Sequence, residues 1–224
     1  MKRLISLLLI VIGILLASIP FIKNQLIIQN VNKNIDLIED ISYEEVETNE
    51  LREAPFDYSS VRDVTIATVV NNINKIDYDL LVGYISIDNL NIHLPILKGV
   101  SDANLLVGVS TMKEDQRMGR DNYTLAGHYI RDKKTLFGPL LDIEIGNIVK
   151  ISNKRIVYEY EIYDTVIVPD TAMYMLEDNR ASGRGKPIIS LMTCYYTSKN
   201  GQRFFALGEL VDQYPHDSLM IESE

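Results

Sequence analysis

The chain has 224 residues, of which 46% are hydrophobic, and its formal net charge at pH 7 is -9. This length and apolar content suffice for one domain with a sizeable core beyond a short amino-terminal segment. The negative charge argues against a nucleic-acid partner, because binding to phosphates requires an excess of lysine and arginine.

The first predicted element is an apolar helix within residues 1–23. The run Leu4–Ile22 contains no charged residue, and at ~1.5 Å per residue it is long enough to cross a ~30 Å hydrocarbon layer. A cleaved signal peptide is the alternative, but the run offers only a poor small-x-small cleavage site. Lys2 and Arg3 outnumber Lys23, so the positive-inside rule predicts a single-pass anchor with a cytoplasmic amino terminus and an extracellular domain.

An acidic segment follows the anchor. Residues 36–57 contain nine carboxylates and one basic residue, Arg52, and the stretch is poor in glycine and aromatic residues. We interpret residues 24–57 as a solvated stalk that is partly helical at best, and residues 58–80 as an amino-terminal helix. The alternative is that the stalk, or the helix-like run from Ser60 to Ile76, folds back over a functional site as a regulatory appendage. Deletion of residues 24–57 tests that alternative.

From residue 81 the pattern becomes that of a mainly β domain. Apolar and polar residues alternate over residues 90–96, and glycines mark the turns. Seven or eight strands in about 130 residues suggest a closed barrel, because closure removes exposed sheet edges. We therefore predict a barrel over residues 81–212 and a polar tail over 213–224. The other strand-like runs are Asn122–Ala126, Asn147–Ser152, Val157–Val168, Pro187–Cys194 and Arg203–Val211.

Three residues at the edges of these runs are candidates for nucleophilic catalysis. Cys194 is the only cysteine, and a thiol becomes a useful nucleophile when a neighbour lowers its pKa or takes its proton. His128 and Arg203 are side chains of the types that do this. The alternative is a small, buried, apolar cysteine. The other two histidines, His93 and His216, are expected to lie on the surface.

These residues stand in motifs that resemble those of the sortases. The cysteine motif is Ser190-Leu191-Met192-Thr193-Cys194, the histidine motif is Ala126-Gly127-His128, and Arg203 follows one strand later. Ser190 departs from the usual threonine, which affects strand packing rather than chemistry. The similarity extends from about Val82 to Leu210. The resemblance implies a closed eight-stranded sortase-type barrel with short helices in its connections.

The resemblance also implies a reaction. Sortases are cysteine transpeptidases that attach secreted surface proteins carrying an L-P-x-T-G-type sorting signal to a cell-wall precursor. By this resemblance Cys194 attacks the threonine carbonyl, His128 protonates the leaving amine, and Arg203 stabilises substrate oxygens. The backbone N–H of Tyr195 is a candidate second oxyanion donor, and Thr193 and Ala126 are candidates for the substrate groove.

Ordinary pKa values would make the reactive form scarce. With values near ~8.5 for a thiol and ~6.5 for an imidazole, under about 1% of molecules at pH 7 would hold thiolate and imidazolium together. A nearby guanidinium should favour the thiolate. We therefore expect a bell-shaped pH profile for acylation that both Cys194→Ala and His128→Ala abolish.

Finer expectations concern class, cofactor and partners. The pilin-polymerising class commonly has a second hydrophobic segment and an Asp-Pro-aromatic lid, but residues 213–224 are polar and residues 54–56 lack the aspartate. Residues 169–186 are too few for the long helical insertion of another class. These features favour class A. A cell-wall cysteine hydrolase and an inactive binding domain are the remaining alternatives. No cofactor is expected. Calcium is disfavoured because arginines interleave the carboxylates of Glu114, Asp115 and Asp121.

Overall fold

The computed structural model describes residues 2–131 and 133–217, so the end of the predicted tail lies outside the described residues. The chain begins with one long helix, α1, over Lys2–Asp40. Its first half is apolar and solvent-exposed, and by length and composition the helix could cross a membrane. A candidate membrane span therefore lies where the sequence predicts it.

The interpretation of the acidic segment as a stalk that is partly helical at best is wrong. Helix α1 continues to Asp40, and a second helix, α2, spans Tyr43–Glu50. The capping box at Ser42 fixes the start of α2 because its hydroxyl and the Glu45 carboxylate satisfy each other's backbone N–H groups. Most acidic residues of both helices are exposed, whereas Glu50 at the end of α2 is half-buried and pairs with Arg117.

The carboxyl-terminal half of α1 packs on the barrel through one apolar stripe. Its buried residues are Ile27, Val31, Asn34 and Ile38, which the helical period places on a single face. This spacing was present in the sequence, but the density of charge on the other faces obscured it.

The prediction of one helix over 58–80 is also wrong. The only α-helix among these residues is α3, over Ile66–Asn72, and 3₁₀ turns occupy Tyr58–Ser60, Ile73–Lys75 and Tyr78–Leu80. Residues 61–65 between the first turn and α3 are not helical. This stretch crosses the end of the barrel described below.

The barrel is closed and eight-stranded, as predicted. Its order is β1-β2-β3-β4-β7-β8-β6-β5, with β2–β3 and β4–β7 parallel and the other pairs antiparallel. Short helices α4 (Asp102–Leu105) and α5 (Asn179–Arg184) lie in the connections. The strands are β1 Leu81–Ile87, β2 Ile92–Leu97, β3 Val109–Thr111, β4 Asn122–Ala126, β5 Ile148–Ser152, β6 Ile156–Pro169, β7 Ile188–Cys194 and β8 Gln202–Pro215.

One of the two histidines expected on the surface is buried. His216 follows β8 and is 8% exposed, with Nδ1 at 3.1 Å from the Ser152 hydroxyl and 3.5 Å from the Tyr84 hydroxyl. The surface prediction is wrong for His216, because β8 is longer than its hydrophobic pattern and brings the residue back against β1 and β5. His93 is exposed, as expected.

Candidate active site

The strand pairing gathers the three motifs at one end of the barrel. Strands β4 and β7 are parallel, so their carboxyl ends coincide, and Ala126 pairs with Met192. Strand β8 runs antiparallel to β7, and Cys194 at the end of β7 pairs with Arg203 near the start of β8. The last residue of β7 and the first residues of β8 therefore lie beside the end of β4, and His128 follows β4 in the chain.

Hydrogen bonds join the histidine and cysteine motifs directly. The Gly127 N–H donates to the Met192 carbonyl at 3.0 Å, and the Thr193 hydroxyl donates to the Gly127 carbonyl at 2.8 Å. A Cβ on Gly127 would lie 2.5 Å from the Phe137 ring, so only glycine permits this approach. The neighbours of Cys194 and His128 in sequence are thus held together by backbone geometry.

Cys194 is a buried, uncharged thiol in this structure. It is 1% exposed, and its Sγ lies 3.7 Å from the carbonyl oxygen of Val61. Burial raises the pKa of the thiol to about 11, because a thiolate loses its hydration there, and the Arg203 guanidinium only partly opposes this shift.

Arg203 donates to the same carbonyl. Its Nη2 lies 3.1 Å from the Val61 oxygen, and its Nη1 donates to the Gln202 carbonyl at 3.1 Å. The Asp170 carboxylate lies 3.9 Å from Nη2. Thiol and guanidinium therefore converge on one backbone oxygen, contributed by a segment that precedes the barrel.

His128 is the most deeply buried of the three residues. It is 0% exposed. Burial lowers the pKa of the imidazole to about 4, and a hydrogen bond with the backbone of Arg62 and the nearby Asp63 carboxylate oppose this shift only in part. The neutral imidazole is therefore the favoured form in this covered site.

The covered arrangement disfavours the reactive ion pair. Burial raises the pKa of the thiol and lowers the pKa of the imidazole, so both shifts favour the neutral forms at pH 7. Hydration of the two groups would reduce both shifts.

The predicted substrate-binding residues lie at the same end of the barrel. Ala126 and Thr193 are fully buried. The Tyr195 side chain is partly exposed, and its backbone N–H donates to the Gln202 carbonyl at 3.3 Å. This N–H already donates to the Gln202 carbonyl, so it can act as an oxyanion donor only if the β7–β8 turn changes conformation and breaks that hydrogen bond. These roles remain predictions.

Sequence reasoning missed Val61 and Asp63. The Val61 carbonyl faces Cys194 and Arg203, and Asp63 accepts hydrogen bonds from Thr197 and Ser198 in the β7–β8 turn. A backbone carbonyl has no signature in the amino-acid sequence. The prediction that came nearest to these contacts was the alternative that the run of residues 60–76 folds back over a functional site.

Within residues 2–131 and 133–217 no group of three histidine, cysteine or carboxylate side chains has metal-binding geometry. Glu114, Asp115 and Asp121 share a surface pocket with Arg117 and Arg120. The positive charges in that pocket compete with a cation for the carboxylates.

A closed barrel with a buried thiol, an imidazole and a guanidinium at one end defines a cysteine-dependent enzyme. The sortase domain model matches residues 85–211, more than half of the chain. The chain belongs to the sortase family and is a cysteine transpeptidase.

Similar proteins cover nearly the whole chain. Sortase A of Listeria monocytogenes is 33% identical over 210 residues, which is 94% of this chain and 91% of that protein. Sortase A of Bacillus anthracis is 30% identical over 207 residues, covering 92% of this chain and 93% of that protein.

Solved structures show the same fold. The crystal structure of Listeria monocytogenes sortase A has a TM-score of 0.58 at 31% identity and covers 65% of this chain and 99% of its own. Sortase C-3 from Streptococcus pneumoniae has a TM-score of 0.64 at 19% identity, covering 87% of this chain and 96% of its own. The second likeness concerns the fold alone.

Proposed function

We propose that the chain is a membrane-anchored class A sortase that cleaves an L-P-x-T-G-type sorting signal between threonine and glycine. It then joins the surface protein to an amine of a lipid-linked cell-wall precursor. The observation that carries this proposal is the convergence of the Cys194 thiol and the Arg203 guanidinium on one backbone carbonyl oxygen. Relatives named Sortase A over nearly the full chain support the class.

Each group has one task in the proposed reaction. The Cys194 thiolate forms a bond to the threonine carbonyl carbon, and Arg203 donates hydrogen bonds to the carbonyl oxygen as it gains charge. The C–N bond then breaks, and His128 as imidazolium gives its proton to the departing glycine amine. The incoming amine then attacks the thioester carbonyl carbon and gives a proton back to His128, and the C–S bond breaks to release the Cys194 thiolate.

The supporting residues shape the acyl site. Ala126 and Thr193 lie at the ends of β4 and β7, where a peptide must pass to reach the thiol. The backbone N–H of Tyr195 supplies a second oxyanion donor once it leaves the Gln202 carbonyl. Thiol, imidazole and guanidinium provide all the acid, base and charge that this reaction needs, so the proposed chemistry uses no cofactor.

The proposed location follows from α1. Lys2 and Arg3 precede the apolar run, so the amino terminus is cytoplasmic and the barrel is extracellular. Secreted proteins bearing the sorting signal and membrane-held precursors are both available on that side. Nucleic acid is not a partner of a domain with this negative charge.

Mass spectrometry of the full chain in detergent micelles with an L-P-x-T-G peptide tests the proposal. We expect a covalent adduct on Cys194 and, when an amine nucleophile is added, a new amide product. Adducts that end only in the free acid would indicate a cysteine hydrolase. An adduct absent from wild type under all conditions would refute the proposal.

A further inference from the structure

Helix α1 runs along the barrel from the active-site end to the opposite end. At the active-site end, the Lys23 ammonium donates to the Val64 carbonyl at 3.2 Å, three residues beyond Val61. Near the end of the helix, the Glu39 carbonyl accepts from the Lys154 ammonium at 2.9 Å, in the turn between β5 and β6. That turn lies at the far end of the barrel, because β6 begins there against the end of β8.

The apolar half of α1 therefore projects beyond the active-site end. The helix is unbroken over Lys2–Asp40, so the run Leu4–Ile22 continues past Lys23 away from the barrel. Pro20 lies inside this run, and a proline bends a helix without reversing its direction. With this run as the proposed membrane span, the active-site end is the part of the barrel that faces the bilayer.

Three tyrosine side chains, here called the tyrosine patch, lie beside one another at this end. Tyr129 follows His128, whereas Tyr195 and Tyr196 follow Cys194. The ring centroids are 5.9 Å apart for Tyr129 and Tyr196 and 4.6 Å apart for Tyr195 and Tyr196. The Tyr196 ring is 53% exposed, and the other two side chains are partly exposed. Tyrosine is enriched where proteins meet the headgroup layer of a membrane, because its ring is apolar and its hydroxyl is polar.

Basic side chains surround the tyrosine patch. Three of the four residues 131–134 are basic, and Arg131, Lys133 and Lys134 are all exposed. Lys199 is exposed on the β7–β8 turn, and Lys133 pairs with Asp142 at 2.7 Å. These two basic loops contrast with the net charge of -9 of the whole chain. Lysine and arginine at a membrane surface extend their charged groups toward lipid phosphates.

The basic loop lies close to the end of the apolar run. Lys134 lines a cavity together with Ile28 and Val31 of α1. Ile28 is six residues beyond Ile22, which is about 9 Å along a helix at ~1.5 Å per residue. The headgroup layer extends about 5–8 Å beyond the hydrocarbon core on each side, and a lysine side chain can bridge the remaining distance.

We propose that the active-site end of the barrel docks on the outer surface of the membrane that holds α1, with the tyrosine patch and its basic neighbours in the phospholipid headgroup layer. The proposal rests on the proposed function for the membrane span. The direction of α1 favours a bilayer over a second copy of the chain as the partner, because α1 brings this end of every barrel to the same surface.

Docking deepens the proposed reaction by fixing where its second substrate arrives. Cys194 and His128 precede the tyrosines directly in the chain, so both groups lie next to the headgroup layer in the docked state. A lipid-linked precursor then presents its amine beside the thioester while its lipid remains in the bilayer.

Tryptophan fluorescence tests the docking without any substrate. The chain contains no tryptophan, so Tyr196→Trp gives the full chain a single indole. The variant is reconstituted in vesicles of phosphatidylcholine and phosphatidylglycerol, with or without phospholipids that carry a nitroxide quencher near the headgroup. We expect a blue-shifted emission that these labelled lipids quench, because the indole lies at headgroup depth.

Tyr43→Trp is the matched control at the opposite end of the barrel. Tyr43 begins α2, and its hydroxyl accepts from Arg155 in the β5–β6 turn at 3.2 Å. We expect the labelled lipids to quench Tyr196→Trp at least about threefold more strongly than Tyr43→Trp, since only the first lies at the membrane surface. Tyr129→Trp places the indole on the second loop, and it should be quenched less than Tyr196→Trp because Tyr129 is partly buried.

Quenching of Tyr196→Trp that is no stronger than that of Tyr43→Trp would overturn the proposal. A blue shift without quenching would also overturn it, since the indole would then contact protein, such as a second copy of the chain. Release of the chain from the vesicles by alkaline carbonate would refute both the membrane span and the docking. Peptide adducts are measured separately on the same vesicles. Strong quenching without any adduct would uphold the docking while refuting the proposed substrate.

Discussion

Two segments that precede the barrel pack against it by different physical means. The second half of α1 buries Ile27, Val31 and Ile38 against the barrel in regular helical spacing. The segment of residues 57–64, here called the strap, crosses the end of the barrel; it buries one apolar side chain, Val61, partly buries Val64, and is otherwise held by hydrogen bonds and one ion pair. Apolar burial stabilises the first attachment strongly, whereas hydrogen bonds that compete with water contribute less to the second.

The two segments therefore differ in how strongly each is expected to be attached to the barrel. Helix α1 sets the barrel against the end of the candidate membrane span, and the Asn49 side chain of α2 adds a buried hydrogen bond to the Leu81 carbonyl. The strap, only a few residues later, lies over the buried Cys194 thiol and contributes the carbonyl that faces it. The following changes test the two attachments, beginning with the largest expected effect.

Cys194→Ala should abolish transpeptidation, with a loss of about 10⁴-fold or more, because no other thiol in the chain can form the thioester. Amide product formation, followed by chromatography, is the measurement. Asp63→Ala, which removes hydrogen bonds to the β7–β8 turn and a negative charge near Cys194 and His128 but leaves the thiol in place, should retain activity. Substantial residual cleavage in Cys194→Ala would show that the cysteine is not the nucleophile.

Ile38→Ala should destabilise the domain by about 2–5 kcal/mol, since a fully buried side chain of α1 leaves a cavity. Denaturant unfolding in micelles measures this change. Ile5→Ala, at an exposed position in the apolar run, is the control and should have no effect on barrel unfolding. Equal stability of Ile38→Ala and wild type would show that α1 does not pack as described.

Acidification should destabilise the folded domain through His128. Its folded pKa of about 4 lies below the unfolded value of ~6.5, so the stability linked to the neutral ring is complete above pH 6.5 and is lost as pH falls toward 4, by about 3 kcal/mol in total. His128→Asn should lack this loss. Melting temperatures from pH 7 to 4.5 give the comparison, and parallel curves for both proteins would contradict it.

The pH dependence of Cys194 alkylation by iodoacetamide should report the burial of the thiol. Because the pKa of Cys194 is about 11 in the covered state, the wild-type rate should still rise above pH 9. The Asp63 carboxylate raises the pKa of the thiol, so the midpoint in Asp63→Ala should move downward. Rates at a series of pH values from 7 to 11 test this, and identical midpoints would show that Asp63 does not act on the thiol.

Arg62→Ala should have the smallest effect, below about 1 kcal/mol on unfolding, because its ion pair with Asp102 is partly exposed. Added salt should reduce even this difference. Denaturant curves at low and high salt provide the measurement. A loss of several kcal/mol would mean that this ion pair holds the strap more firmly than partly exposed charges permit.

Much of the barrel was predictable because strands carry a local signal. The run Asn122–Ala126 was predicted with the bounds that β4 has, and the turn residues around Gly127 and Gly201 separate elements as expected. The motif residues could be identified for the same reason, since each stands at the end of such a run. Helix α1 beyond residue 23 was not predicted, because its apolar stripe is narrow and charged residues occupy its other faces.

The amino-acid sequence by itself determined the class of fold, the candidate membrane span and the three residue types proposed for catalysis, since all of these depend on local periodicity and on side-chain chemistry. Tertiary structure alone decided that His216 is buried and that the Val61 carbonyl meets the thiol and the guanidinium. The physical reason is that every residue carries the same backbone carbonyl. Only long-range folding selects the one that reaches the site.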